Sequence, residues 1–162
     1  MENMKLNNNL ECPMLGLGTF MLSPEDAYTS TLEALKMGYS LIDTANAYVN
    51  ERAVGRAIKD SGIDRKNIFL STKIWASEYE NENIVEETLE RLGVDYVDLL
   101  YIHQPVPDTE CLKKRIERAK QNPLVSRILK ENIWKSWKQS GKLYLSLFRW
   151  KHIHISHRKN FV

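Results

Sequence analysis

Little in this sequence points to a disulfide framework, a membrane span or an export route. It has two cysteines, Cys12 and Cys111, in 162 residues. Two cysteines make no disulfide framework, and neither stands at metal-ligand spacing, so each reads as a small hydrophobe or a free thiol. No apolar run approaches the ~20 residues that span a bilayer. No apolar core follows Met1-Glu2-Asn3-Met4-Lys5 to make a signal peptide, so a cytoplasmic location is expected. Of four histidines and four tryptophans, only His103 and Trp75 lie before residue 111.

Basic residues are also scarce over most of the chain. Residues 1–110 hold 9 Lys and Arg against 19 Asp and Glu, whereas residues 111–162 hold 14 against 2, behind a net charge of +2. Such a break marks a domain boundary or a change of origin. The basic tail interleaves aromatics and could neutralise phosphates. It carries no recognisable nucleic-acid module, so a nucleic-acid partner is not expected. His152, His154 and His157 have no Cys or carboxylate at ligand spacing, so no metal site is expected. A hydrophobic content of 43% is enough for one ordinary core.

What is present is a rhythm. Asp43, Lys73 and His103 stand thirty residues apart, each at the carboxyl end of an apolar run: 39–43, 68–73 and 97–103. A strand, a crossover helix and two turns take ~30 residues, so this is the beat of repeated βα units. Ionisable side chains at the tops of neighbouring parallel strands converge on one face, where barrel enzymes keep their chemistry.

Local signals agree with that beat as far as residue 105. Residues 5–10 suggest a short hairpin with an Asn-rich turn, and 14–20 a first strand whose glycines permit close approach. Ser23-Pro24-Glu25-Asp26 starts a helix, with Ala27, Leu32, Ala34 and Leu35 as its buried stripe and Gly38 as its end. A second helix is expected over Asn50–Ile58, stopped near Ser61-Gly62. A third is expected from Glu82 to Leu92, with Ile84, Val85, Thr88, Leu89 and Leu92 on one face and Gly93 as terminator. Leu112–Lys130 could form a basic helix broken at Pro123, and Trp134 and Trp137 are expected to pack against the outer face.

Tyr48, five residues beyond Asp43, completes a chemically suggestive set. A free tyrosine, with a pKa near ~10, is a poor proton donor or acceptor at neutral pH. A lysine ammonium beside a phenol favours the phenolate, and a carboxylate keeps that lysine charged and in place. A histidine opposite can orient a carbonyl oxygen or relay a proton. Together these groups suit protonation of an oxygen that is becoming an alkoxide.

These residues stand in segments that resemble the aldo-keto reductases. Gly38-Tyr39-Ser40-Leu41-Ile42-Asp43-Thr44-Ala45, then Tyr48, Asn50-Glu51 and Val54-Gly55, are similar to the family's first signature. Leu15–Phe20, Ser71–Trp75, Asp95–Leu99 and Ile102–Pro105 resemble further family segments in the same order, and the likeness covers about residues 5–107. It implies an α/β fold of (β/α)8 TIM-barrel type, and reduction of aldehydes or ketones with NADPH. It further implies that Tyr48 acts as general acid, Lys73 assists it, Asp43 pairs with Lys73, and His103 orients the carbonyl. Gly18, Thr19 and Asp43 would lie at the cofactor, while Phe20, Trp75 and His103 would line the substrate pocket. Ser40 departs from the family, many members of which carry a basic residue there.

A barrel of this type takes ~250 residues. Only about four βα units are expected here, over 1–107, followed by a basic, poorly matched segment over 108–142 and an irregular tail over 143–162. The resemblance places most cofactor contacts in a second half that finds no counterpart. Leu143–Trp150 reads like a family segment decoded one base out of register, which suggests a frameshift after Lys142. Weak turnover or none is therefore expected of the chain itself. A non-catalytic relic acting through strand edges or the basic tail is the alternative.

Overall fold

The structure is a computed structural model and describes residues 2–6 and 10–103. The expectations placed on the basic segment 108–142 and the tail 143–162 lie outside the described residues. In chain order the elements are β1 (Asn3–Lys5), β2 (Glu11–Pro13), β3 (Leu17–Gly18), α1 (Pro24–Lys36), β4 (Leu41–Asp43), α2 (Glu51–Asp60), β5 (Phe69–Ile74), α3 (Ile84–Leu92) and β6 (Leu99–Ile102). β1 and β2 pair antiparallel as a hairpin, with Met4 opposite Cys12. The other four strands form one parallel sheet in sequence order, β3-β4-β5-β6. A helix joins each to the next, so the thirty-residue beat is a run of βα crossings.

Helix boundaries follow local chemistry. Ser23 Oγ accepts from the Asp26 amide at 3.1 Å, Pro24 opens α1, and Glu25 and Asp26 place negative charge in its first turn. Gly38 ends α1 at φ +89°, a conformation open to glycine. The buried stripe of α1 differs from expectation at one place: Thr31 is buried and Leu32 is only partly so. Thr31 stands four residues from both Ala27 and Leu35, in the row that meets the sheet, and Leu32 lies one position around the helix. The buried residues of α3 are the five expected. It begins at Ile84, two residues after the expected Glu82, with Asn83 as N-cap.

The first strand is shorter than the expected 14–20. Met14 and Leu15 are exposed, and Met21 turns the chain away at φ +61°. Gly16 is needed there, because a Cβ would lie 2.5 Å from Leu41 Cγ. Asn50 is the N-cap of α2 and not part of the helix, which runs on to Asp60.

Alternation along the strands divides the core in two. Ile42, Leu70 and Ile74 point to the helical side, against Leu35, Val54, Ile58, Ile84 and Leu92. Leu41, Phe69 and Leu99 point to the opposite side, where Cys12 of the hairpin joins them with Met4, Leu6 and Leu10. The hairpin thus caps one end of the sheet's inner face. The strand residues that follow the apolar layer on that face are Asp43, Ser71, Lys73, Tyr101 and His103.

Candidate active site

Parallel strands with a common direction bring their carboxyl ends to one edge, and the inner-face residues there are polar. Asp43 is the last residue of β4, Lys73 the penultimate residue of β5, and His103 follows β6 directly. The register sets Asp43 beside Ser71 and Lys73 beside Tyr101. Tyr48 arrives from the loop after β4, at the end of a short 3-10 turn over Asn46–Tyr48.

Lys73 is the hub. Its Nζ donates to Asp43 Oδ2 at 2.6 Å, to the Thr44 carbonyl at 2.8 Å and to Tyr48 Oη at 3.2 Å. An ammonium has three donors, and all three are used. The Lys73 and Asp43 side chains are 17% and 19% exposed, so the pair is only partly screened by water. Ser71 Oγ donates to the other carboxylate oxygen, Asp43 Oδ1, at 2.6 Å. The phenolic oxygen of Tyr48 accepts from the ammonium, which leaves the Tyr48 O–H proton available to a third group.

Aromatic rings flank that of Tyr48. The Phe20 ring lies 5.0 Å from that of Tyr48, and the His103 ring meets Tyr48 edge-on at 5.7 Å. Trp75 packs edge-on against His103 at 4.8 Å, with its own amide held by Asn46 Oδ1. Burial, reinforced by the Lys73 ammonium and opposed by Asp43, holds the His103 imidazole below its ordinary pKa. Its Nδ1 is buried and, among the described residues, has no partner. Deeper on the same face, burial and the Asp43 charge push the Tyr101 phenol above its ordinary range.

All four expected catalytic residues, Asp43, Tyr48, Lys73 and His103, are gathered here, with Phe20 and Trp75 at the rim. Gly18 is exposed, and a Cβ on it would meet nothing within 4 Å. Thr19 is fully buried, its hydroxyl turned to the Asp43 carbonyl and Asn50 Oδ1, each at 3.3 Å. Sequence reasoning missed three members of this network, Ser71, Thr44 and Asn50. Strand alternation could have placed Ser71 on the face of Lys73, two residues on. Asn50 offered no such signal, because a polar residue before a helix reads as a cap. No three His, Cys, Asp or Glu side chains gather for a metal among the described residues, and no described helix is long and apolar enough to cross a membrane.

Helix-backed parallel strands with ionisable side chains gathered at their carboxyl ends are the arrangement of barrel enzymes. Residues 14–144 match the model of the aldo/keto reductase family, and the chain belongs to that family. An aldehyde reductase of Saccharomyces cerevisiae is 49% identical over 105 residues, 64% of this chain and 34% of that protein. The glycerol 2-dehydrogenase (NADP+) of the same yeast is 48% identical over 103 residues, 63% of this chain and 33% of that protein. An aldo/keto reductase crystal structure from Brucella melitensis, 38% identical, superposes with a TM-score of 0.72 over 87% of this chain and 59% of its own. The chain thus spans about a third of the length of these curated relatives, and its four described parallel strands with the three helices between them correspond to part of a (β/α)8 barrel.

Proposed function

We propose that this site reduces aldehydes or ketones to alcohols with NADPH, and that Tyr48 is the acid that protonates the carbonyl oxygen. The observation that carries this reading is the Lys73 ammonium, placed between the Asp43 carboxylate and the Tyr48 hydroxyl at 2.6 and 3.2 Å. A bound NADPH supplies the hydride. Gly18, Thr19 and Asp43 would hold it: the space beside Gly18 is open, a Cβ there meeting nothing within 4 Å, and Gly18 pairs with Asp43 in the sheet. Thr19 is fully buried, with its hydroxyl, amide and carbonyl all bonded within the protein, so it would support such a surface from beneath.

The carbonyl substrate enters between Phe20, Trp75 and His103, whose rings exclude water from the oxygen. As negative charge grows on that oxygen, Tyr48 passes its proton to it. Lys73 stabilises the phenolate left behind, and Asp43, held by Ser71, keeps Lys73 on Tyr48. His103, neutral near pH 7, orients the oxygen without competing as a proton source. Both cited yeast relatives are named for carbonyl–alcohol chemistry, one with NADP+ in its name.

The test is aldehyde-dependent oxidation of NADPH by the purified chain. We expect a weak rate that Tyr48→Phe abolishes and Lys73→Met lowers by roughly 10²-fold or more, as loss of a proton-transfer group does. A rate that survives Tyr48→Phe overturns the assignment of the acid.

A further inference from the structure

Asn50 is fully buried, and its side chain does not cap the helix it precedes. Its amide faces the other way. Nδ2 donates to the Thr19 carbonyl at 2.9 Å and to the Leu22 carbonyl at 3.1 Å. Oδ1 accepts from Thr44 Oγ1 at 3.1 Å and from Thr19 Oγ1 at 3.3 Å. A carboxamide has two donors and one oxygen with two lone pairs, so its full capacity is spent. Every bond goes to the loops after β3 and β4, the two loops that surround Tyr48.

The placement is specific. Thr44 and Asn50 bound the segment that carries Tyr48, and the Thr44–Asn50 bond closes that segment on itself. The Thr44 carbonyl takes one of the three Lys73 donors, so the same threonine fixes both ends of the Tyr48–Lys73 contact. Val49, between Tyr48 and Asn50, is held at φ +58°, which a valine adopts only under external constraint. On the other side, Asn50 holds Thr19, and the next residue is Phe20, whose ring lies tilted against that of Tyr48 at 5.0 Å.

We propose that Asn50 is a positioning residue: its buried amide clips the loops after β3 and β4 together and so sets the Tyr48 hydroxyl on Lys73. The inference rests on the reading of Tyr48 as the acid, but its test requires no turnover. Aspartate keeps the oxygen and loses both donors. Leucine keeps the volume and loses everything polar. Thr44→Val removes one bond of the clip without touching the carbonyl that holds Lys73, and Thr44→Ser keeps that bond.

The experiment is carbon-13 NMR of the full chain labelled at the hydroxyl-bearing ring carbon of its seven tyrosines. The Tyr48 line is the one lost in Tyr48→Phe, and Lys73→Met gives its position when the ammonium is gone. Asn50→Asp and Asn50→Leu are expected to move the line toward that position. Thr44→Val should move it less in the same direction, and Thr44→Ser should restore it. If Asn50 variants unfold, seen as collapse of all the tyrosine lines, the Thr44 pair decides. A Tyr48 line unmoved by Lys73→Met or by Asn50→Asp, or equal in Thr44→Val and Thr44→Ser, overturns the proposal. Absence of turnover, or turnover surviving Tyr48→Phe, counts against the reductase reading alone. Where turnover is measurable, Thr44→Val should lower kcat more than it changes KM, because a misplacement near 1 Å costs about 10²-fold in rate.

Discussion

A histidine that gives up water and faces an ammonium releases its proton more readily than one in solution, and His103 meets both conditions. Its folded-state pKa is lowered, so between that value and the ordinary ~6.5 the unfolded chain binds more protons than the folded one. The stability that His103 contributes is therefore present above about pH 6.5 and lost as pH falls through the lowered folded value. Melting temperature against pH should fall more steeply on acidification in the wild type than in His103→Gln; parallel profiles would exclude His103 as the titrating group. Ser71 supplies a second prediction at this scale. Its hydroxyl holds Asp43 Oδ1, and hydrogen bonds to charged groups contribute ~1.5–3 kcal/mol. Water reaches part of the 19%-exposed Asp43 side chain, so Ser71→Ala should cost about 1 kcal/mol in urea unfolding and Ser71→Thr less. Asp43, Lys73 and His103 were legible in the sequence because their chemistry coincides with strand ends at a regular interval, and Tyr48 because a phenol five residues beyond Asp43 complements that set. Ser71, Thr44 and Asn50 were not, because a hydroxyl or an amide shows its role only through the partner it finds in space.

Element boundaries were legible wherever a local device fixes them, as at Ser23-Pro24, Gly38 and Gly93, and less so where tertiary contact decides. The first strand is confined to Leu17–Gly18, with Met21 turning beyond it at positive φ, and helix α3 starts only at Ile84, behind an Asn83 amide that donates to Asn81 Oδ1; neither follows from hydrophobic period. Packing between α2 and α3 shows the same override. Gly55 lies inside α2, where alanine should be better by up to ~1 kcal/mol on propensity. A Cβ there would fall 2.0 Å from the Leu92 carbonyl oxygen, a backbone atom that no rotamer change can move. Overpacking costs ~1–3 kcal/mol, so the clash outweighs the propensity and Gly55→Ala should lower the urea midpoint. The same helix pair contains a buried charge. Glu51 is 2% exposed and accepts from Arg91 Nε and Thr72 Oγ1, each at 2.7 Å. Removing one partner of such a pair costs ~3–5 kcal/mol because the remaining charge is stranded, whereas replacing both is far milder. Arg91→Met should therefore destabilise more than the double variant Glu51→Met with Arg91→Met, by the same denaturant measurement.

Across the described residues, the parallel sheet separates two apolar clusters that share no side chains. The helical side holds Leu70 among the residues of α1, α2 and α3, and the inner side holds Phe69 against the hairpin. The strands were legible as apolar runs, but the hairpin's place against Leu41, Phe69 and Leu99 was not, since nothing local ties its two strands to the sheet they cover. Proteins open in cooperative units, and a unit loosens when its own contacts are trimmed. Phe69→Leu and Leu70→Val each remove buried apolar volume worth about 1 kcal/mol, too little to unfold a typical domain. The substitutions are adjacent in sequence and point to opposite faces. Phe69→Leu should accelerate amide exchange in the hairpin, at Leu6, bonded to Leu10 O at 2.9 Å, and at Met14, bonded to Glu2 O at 3.0 Å. Leu70→Val should instead accelerate exchange at helix-side amides such as Val94, bonded to Leu89 O at 3.2 Å. Equal acceleration at both sets in both variants would mean that the faces open as one unit, and that the hairpin is part of the cooperative core of the sheet.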